Sequence, residues 1–250
     1  MTALTDFYNW ILTQPNLIAA DQPFADLSHL QVQPLAENSQ YHGNRRLGFL
    51  YQHLCTEAFK HSDNYHVAME EIQLNQAGKT LGAIDLLLHN QQRDQLEHWE
   101  VAIKFYLLHQ GTWFGPNAHD QLDKKLDRML NHQLAMSCSE TFHQQYPQLD
   151  VASHHLLMQG RLYTNPFSDE ITPTHCLGYP LNDQLINGYW CYYSQSQQIK
   201  QPLFHLPKER WAIGLGEQLE PINPNPERFI HAQTKQGQFW FVVPDCWPHG

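Results

Sequence analysis

Two strongly apolar segments of this chain each carry acidic groups inside them, and that pattern restricts the fold more than any other. LGAIDLLLH (81–89) places Asp85 among Ile84, Leu86, Leu87 and Leu88, and HWEVAIKFYLLH (98–109) places Glu100 and Lys104 among Val101, Ile103 and Phe105. Both segments have strand composition, and side chains on a strand alternate faces. Ala83, Asp85 and Leu87 are therefore expected on one face, with Ile84, Leu86 and Leu88 on the other. Glu100, Ala102 and Lys104 are expected on one face of their strand. A polar loop, NQQRDQ (90–95), joins the two segments. If it closes a symmetric antiparallel hairpin, opposed residue numbers sum to about 185, and Asp85 faces Glu100. Two carboxylates at that spacing repel unless a cation sits between them. A hard divalent ion such as Mg²⁺ is such a cation, binding through one or two carboxylates and keeping several waters. Lys104 would then lie beside the water side of the ion. The plainer reading is a half-exposed sheet face carrying a surface pair.

The rest of the chain reads outward from that hairpin. YHVAMEEIQL (65–74) is strand-like, and NQAGKT (75–80) carries a turn signal at Ala77-Gly78, so three strands form an antiparallel meander. Before it, RRLGFLYQHLCTEAFKH spaces Leu47, Leu50, Tyr51, Leu54, Ala58 and Phe59 along one helical stripe. After it, Asp120 to Leu134 fits an amphipathic helix, and HHLLMQGRLY (154–163) returns to a strand. Residues 4–20 read as a helix ended by Pro15. The expected fold class is α/β (α+β). Its organisation is an N-terminal helical extension (1–44), a core of helix, three-strand meander, helix and strand (45–163), and a C-terminal appendage packed on that core (164–250). Short strands are expected there at Tyr189–Ser194 and Phe239–Val243.

Composition excludes several classes. The 15 Lys and Arg are outnumbered by 25 Asp and Glu, for a formal net charge of -10, which argues against coating nucleic acid by bulk charge. No apolar run approaches the roughly 20 residues of a spanning helix, so no membrane partner is expected. The N-terminus lacks the basic region of a signal peptide, and the five cysteines show no C-x-x-C spacing. A cytoplasmic location with reduced thiols is the expectation. No H-E-x-x-H and no Cys pair support zinc, although His89 shares the strand face of Asp85. AGKT (77–80) lacks the first glycine of a phosphate loop. GTWFGPN (111–117) is an aromatic loop suited either to stacking on a base or to plugging the sheet edge.

LGAIDLLLH followed by HWEVAIKFYL resembles the core of the PD-(D/E)XK, or restriction-endonuclease-like, nuclease superfamily. The whole chain is similar to a bacterial family of unknown function placed in that superfamily. The shared marks are FYNWILTQPNLI, RRLGFLYQHL, GAIDLLL, WEVAIKFYL, GTWFGPNAHDQLDKKLDRMLNHQL, GYWCYY and LPKERW. The resemblance implies a restriction-endonuclease-like core and a Mg²⁺- or Mn²⁺-dependent phosphodiesterase acting on nucleic acid. Asp85 would be the central metal ligand, Glu100 the second, and Lys104 the motif lysine. The usual acidic position two residues before that lysine is Ala102, with Glu100 one pleat earlier. A helix glutamate of many relatives is matched by Gln52, and Glu70 or Glu71 on the first strand are auxiliary candidates. The alternative is a module that keeps the fold, has lost the full ligand set, and binds nucleic acid or a protein. Self-association is left open.

Overall fold

The computed structural model describes residues 3–36, 38–217 and 219–249. It is a mixed α/β protein with a large mixed sheet and a few helices. Helix α1 (Ala3–Thr13) ends two residues before Pro15, because the proline ring excludes the α conformation from the residue ahead of it. Helix α2 is Leu47–Lys60. The meander follows as β1 (Tyr65–Gln76), β2 (Lys79–Asn90) and β3 (Gln95–His109), and β4 (Thr112–Phe114) folds back on β3. Helix α3 (Leu122–Arg128) is shorter than its apolar spacing suggests. It passes into a π-turn (Met129–Gln133) and a 3₁₀ turn (Leu134–Cys138) before α4 (Glu140–Gln145). Strand β5 (Val151–Thr164) is followed by β6 (His175–Cys176), β7 (Tyr179–Pro180), β8 (Ile186–Tyr192), β9 (Phe204–His205), β10 (Ile230–Gln233) and β11 (Phe239–Val243).

The chain divides into two compact units. One comprises Ile11–Ile103 and Leu126–Gln159; the other comprises Met1–Trp10, Lys104–Lys125 and Gly160–Gly250. In the first, the meander unit, β1-β2-β3 are consecutive antiparallel neighbours and β5 follows β3 in the strand order. In the second, β8 runs parallel to β5 and β11 parallel to β8, with β10 and β9 completing the order by antiparallel pairing.

Turn chemistry sets the meander register. Ala77 and Gly78 both have positive φ, 49° and 77°, between the paired Gln76 and Lys79. That is the two-residue turn whose twist matches a hairpin. In the second hairpin the side chain of Asn90 accepts from the backbone N–H of Gln92 and of Arg93, folding the loop on itself. The pairs Leu86↔Trp99, Leu87↔His98, Leu88↔Glu97, His89↔Leu96 and Asn90↔Gln95 all sum to 185, as the loop length predicts.

The expected face alternation does not survive along β2. Ile84 and Leu87 lie in one apolar cluster with Ile72, Leu74, Met136 and Phe142. Opposite this stretch, Glu71 on β1 has φ of 52° and is missing from the ladder between the pairs Ile72↔Ile84 and Glu70↔Leu86. On β3, residues 97–103 are buried on both faces, so Glu100 does not lie on an open sheet surface. Helix α2 covers one face through Phe59, whose ring meets Trp99 edge-on at 5.0 Å.

Candidate functional site

The β2–β3 ladder opens at Asp85 and Glu100, and side chains take over from the backbone there. Oδ2 of Asp85 accepts the backbone N–H of Val101 at 3.0 Å, and the Asp85 N–H donates to Oε1 of Glu100 at 3.3 Å. The two acids thus lie across from one another, as their register predicts. Each carboxylate caps backbone that the other strand leaves open.

Glu100 is fully buried. Besides the Asp85 N–H, its Oε1 lies 3.0 Å from Nε2 of His98, and its Oε2 accepts from the Gln133 amide at 2.6 Å. Three donors on one carboxylate fit its ionised form. His98 is also fully buried, and that burial pushes its pKa down to about 4, against a smaller upward pull from Asp85. It is neutral at pH 7, so its Nε2 carries the proton donated to Glu100. Its Nδ1 then accepts from the Ser137 hydroxyl at 2.8 Å. The Ser137 oxygen in turn lies 3.0 Å from Nε2 of His154, which also lies 3.3 Å from the Cys138 sulfur. Burial and then the neighbouring His98 lower the His154 pKa as well. One polar chain therefore runs from a buried carboxylate to the unit's surface, where Cys138 is exposed.

A second buried carboxylate, Glu97, occupies the opposite face of β3. It accepts from the Asn90 amide at 2.9 Å and from the Trp99 indole at 2.9 Å, and His155 lies 3.5 Å away, stacked on Trp99. Burial, then the charge of Glu97, pushes the Tyr65 phenol up to about 12. Sequence reading passed over Glu97, His98 and Ser137. The available signal was the run Glu97-His98-Trp99-Glu100, in which alternation gives each face of the strand one acid and one ring with an N–H.

The other candidates have their own surroundings. Lys104 belongs to the second unit, where its ammonium pairs with Asp120 at 2.5 Å, and Tyr106 donates to the same oxygen at 3.3 Å. Gln52 is half-buried on α2, and its backbone carbonyl accepts the Thr56 hydroxyl. Glu70 pairs with Lys60 at the surface, Glu71 is exposed, and His89 pairs with exposed Asp94 at 3.1 Å. In the aromatic loop, Trp113 is buried as a plug, while Phe114 is half-exposed and meets Trp247 edge-on.

A divalent ion does not fit this donor set. Mg²⁺ needs carboxylate oxygens open to an ion that keeps its waters. Both Glu100 oxygens accept protein donors inside a fully buried side chain, and one Asp85 oxygen accepts from the backbone. Among the described residues no group of three or more His, Cys, Asp or Glu side chains could hold a metal ion. Among them, too, no helix is long and apolar enough to cross a membrane.

No curated protein and no solved structure matches the chain. A family model does, over residues 8–219, which takes in α1 from Tyr8 onward, the whole meander, the Glu100 network and the chain through β9. The chain belongs to that family, described as Domain of unknown function (DUF1853).

Proposed function

We propose that the chain carries a restriction-endonuclease-like core whose hydrolytic site has become a structural polar network, and that it acts by binding a protein partner. The observation that carries this reading is the Glu100 carboxylate, fully buried with His98, Gln133 and the Asp85 N–H on its two oxygens. A metal-dependent phosphodiesterase needs that group open to an ion and its water. Ala102 at the motif position and the engagement of Lys104 with Asp120 point the same way. A protein is favoured over nucleic acid because a net charge of -10 repels a polyanion.

Mg²⁺- or Mn²⁺-dependent nucleic-acid hydrolysis is the second reading, favoured by the opposition of Asp85 and Glu100 across the hairpin. A cleavage and mobility-shift screen with Mn²⁺ on single-stranded, duplex and branched DNA and RNA separates the two. The binding reading expects neither cleavage nor a shift, with wild type, Asp85→Ala and Lys104→Ala indistinguishable. Cleavage that both substitutions abolish would establish the hydrolase instead.

A further inference from the structure

The second unit buries a cation that no carboxylate answers. Arg161 on β5 is 7% exposed. Its Nε donates to the Asn187 side chain at 2.8 Å, and its terminal nitrogens reach the carbonyls of Trp211 and Ala212 at 3.4 Å each. The Phe239 ring lies against the guanidinium, with its centroid 3.4 Å away. Among the described residues, no Asp or Glu forms an ion pair with it. Neutral oxygens satisfy N–H donors but leave the charge uncompensated, and a desolvated charge is unfavourable without an opposite one.

The surroundings are built around this group. Strands β5 and β8 pair Leu162↔Ile186 and then Tyr163↔Gly188, leaving Asn187 as an extra residue. Such a bulge re-aims a side chain, and here the Asn187 amide, steadied by the Gln184 carbonyl at 2.7 Å, meets Arg161. Gly188 is needed beside it, since a Cβ there would fall 2.3 Å from the Tyr163 ring. The Tyr163 hydroxyl lies 2.9 Å from Nε2 of His231. His231 is 2% exposed, and among the described residues its Nδ1 has no hydrogen-bond partner. The cluster thus sets an uncompensated positive charge near a buried imidazole nitrogen that lacks a hydrogen-bond partner among the described residues, and the charge calls for an anionic oxygen. Access is short, because Asn187 is exposed and Phe239 and Trp211 are half-exposed.

We propose that Arg161, with Asn187 beside it, binds the oxyanion of a ligand, a phosphate or carboxylate group that supplies the missing negative charge. Thermal unfolding of the full chain in sodium phosphate, sodium acetate and sodium chloride at equal ionic strength tests this. Wild type should show a saturable rise in Tm, about 3–6 °C at tenfold excess over the apparent Kd, and Arg161→Gln should show none. A rise with phosphate alone assigns a phosphoryl group, a rise with acetate alone assigns a carboxylate, and a rise with both assigns a general oxyanion site. Asn187→Ala covers the case in which Arg161→Gln does not fold. It changes an exposed side chain, should keep the circular dichroism spectrum, and should raise the apparent Kd severalfold. The absence of an oxyanion-specific rise in wild type, or a rise equal to wild type in whichever variant folds, overturns the assignment.

Discussion

Glu100 accepts from an imidazole, an amide and a backbone N–H, and its stability effect distinguishes a structural role from a metal-binding one. Removing the carboxylate in Glu100→Ala strands those donors in a buried site, at about 1–3 kcal/mol for each unmet group. We expect urea unfolding to show a loss of about 3–5 kcal/mol, with a smaller loss for Glu100→Gln. A carboxylate kept for an absent ion would behave oppositely, since neutralising it would relieve repulsion with Asp85 and raise stability. His98 gives the pH dependence. Its folded pKa of about 4 lies below the ordinary histidine value of 6.5, so the unfolded chain takes up the proton first. Its contribution is constant above pH 6.5 and is lost as pH falls towards 4, by up to about 3 kcal/mol. His98→Gln should therefore show a shallower fall in stability than wild type between those pH values, measured by urea midpoints across the range.

At the scale of elements, the hairpins were legible because their turns are local. Ala77-Gly78 and the four residues after Asn90 set registers that composition alone can read, and Asp85 falls opposite Glu100 as a result. What composition could not show depends on partners distant in sequence. No glycine announces the positive φ of Glu71, and strand alternation does not foresee Ile84 and Leu87 in one cluster. The π-turn at Met129–Gln133 lies inside an unbroken helical pattern; Gln133 within it reaches back to Glu100 on β3. Asp120, the partner of Lys104, lies in a segment whose interleaved Asp and Lys residues read as surface charge. Glycines make the tertiary constraint measurable. A Cβ on Gly160 would fall 1.6 Å from the Lys104 carbonyl oxygen, so Gly160→Ala must force β5 and β3 apart where they meet. Loss of the folded state is expected, a penalty above about 4 kcal/mol, seen in soluble yield and circular dichroism. Gly111→Ala, at φ of 76° in open space, should lose only about 1–2 kcal/mol.

For the molecule as a whole, charge is the property that acts beyond any single contact. At pH 7 the formal net charge is -10 with the 17 histidines neutral, and the sequence pI is about 5.9. Self-repulsion keeps such a chain dispersed at neutral pH and fades as the histidines protonate. Light scattering across a pH series should show association peaking near pH 5.9 and declining on either side. The same charge underlies the preference for a protein partner, but the central claim rests on the Glu100 network, and calorimetry addresses it directly. Titration of Mn²⁺ into wild type and Asp85→Ala should give superimposable traces with no saturable site. A stoichiometric binding isotherm in wild type that disappears in Asp85→Ala would contradict the account.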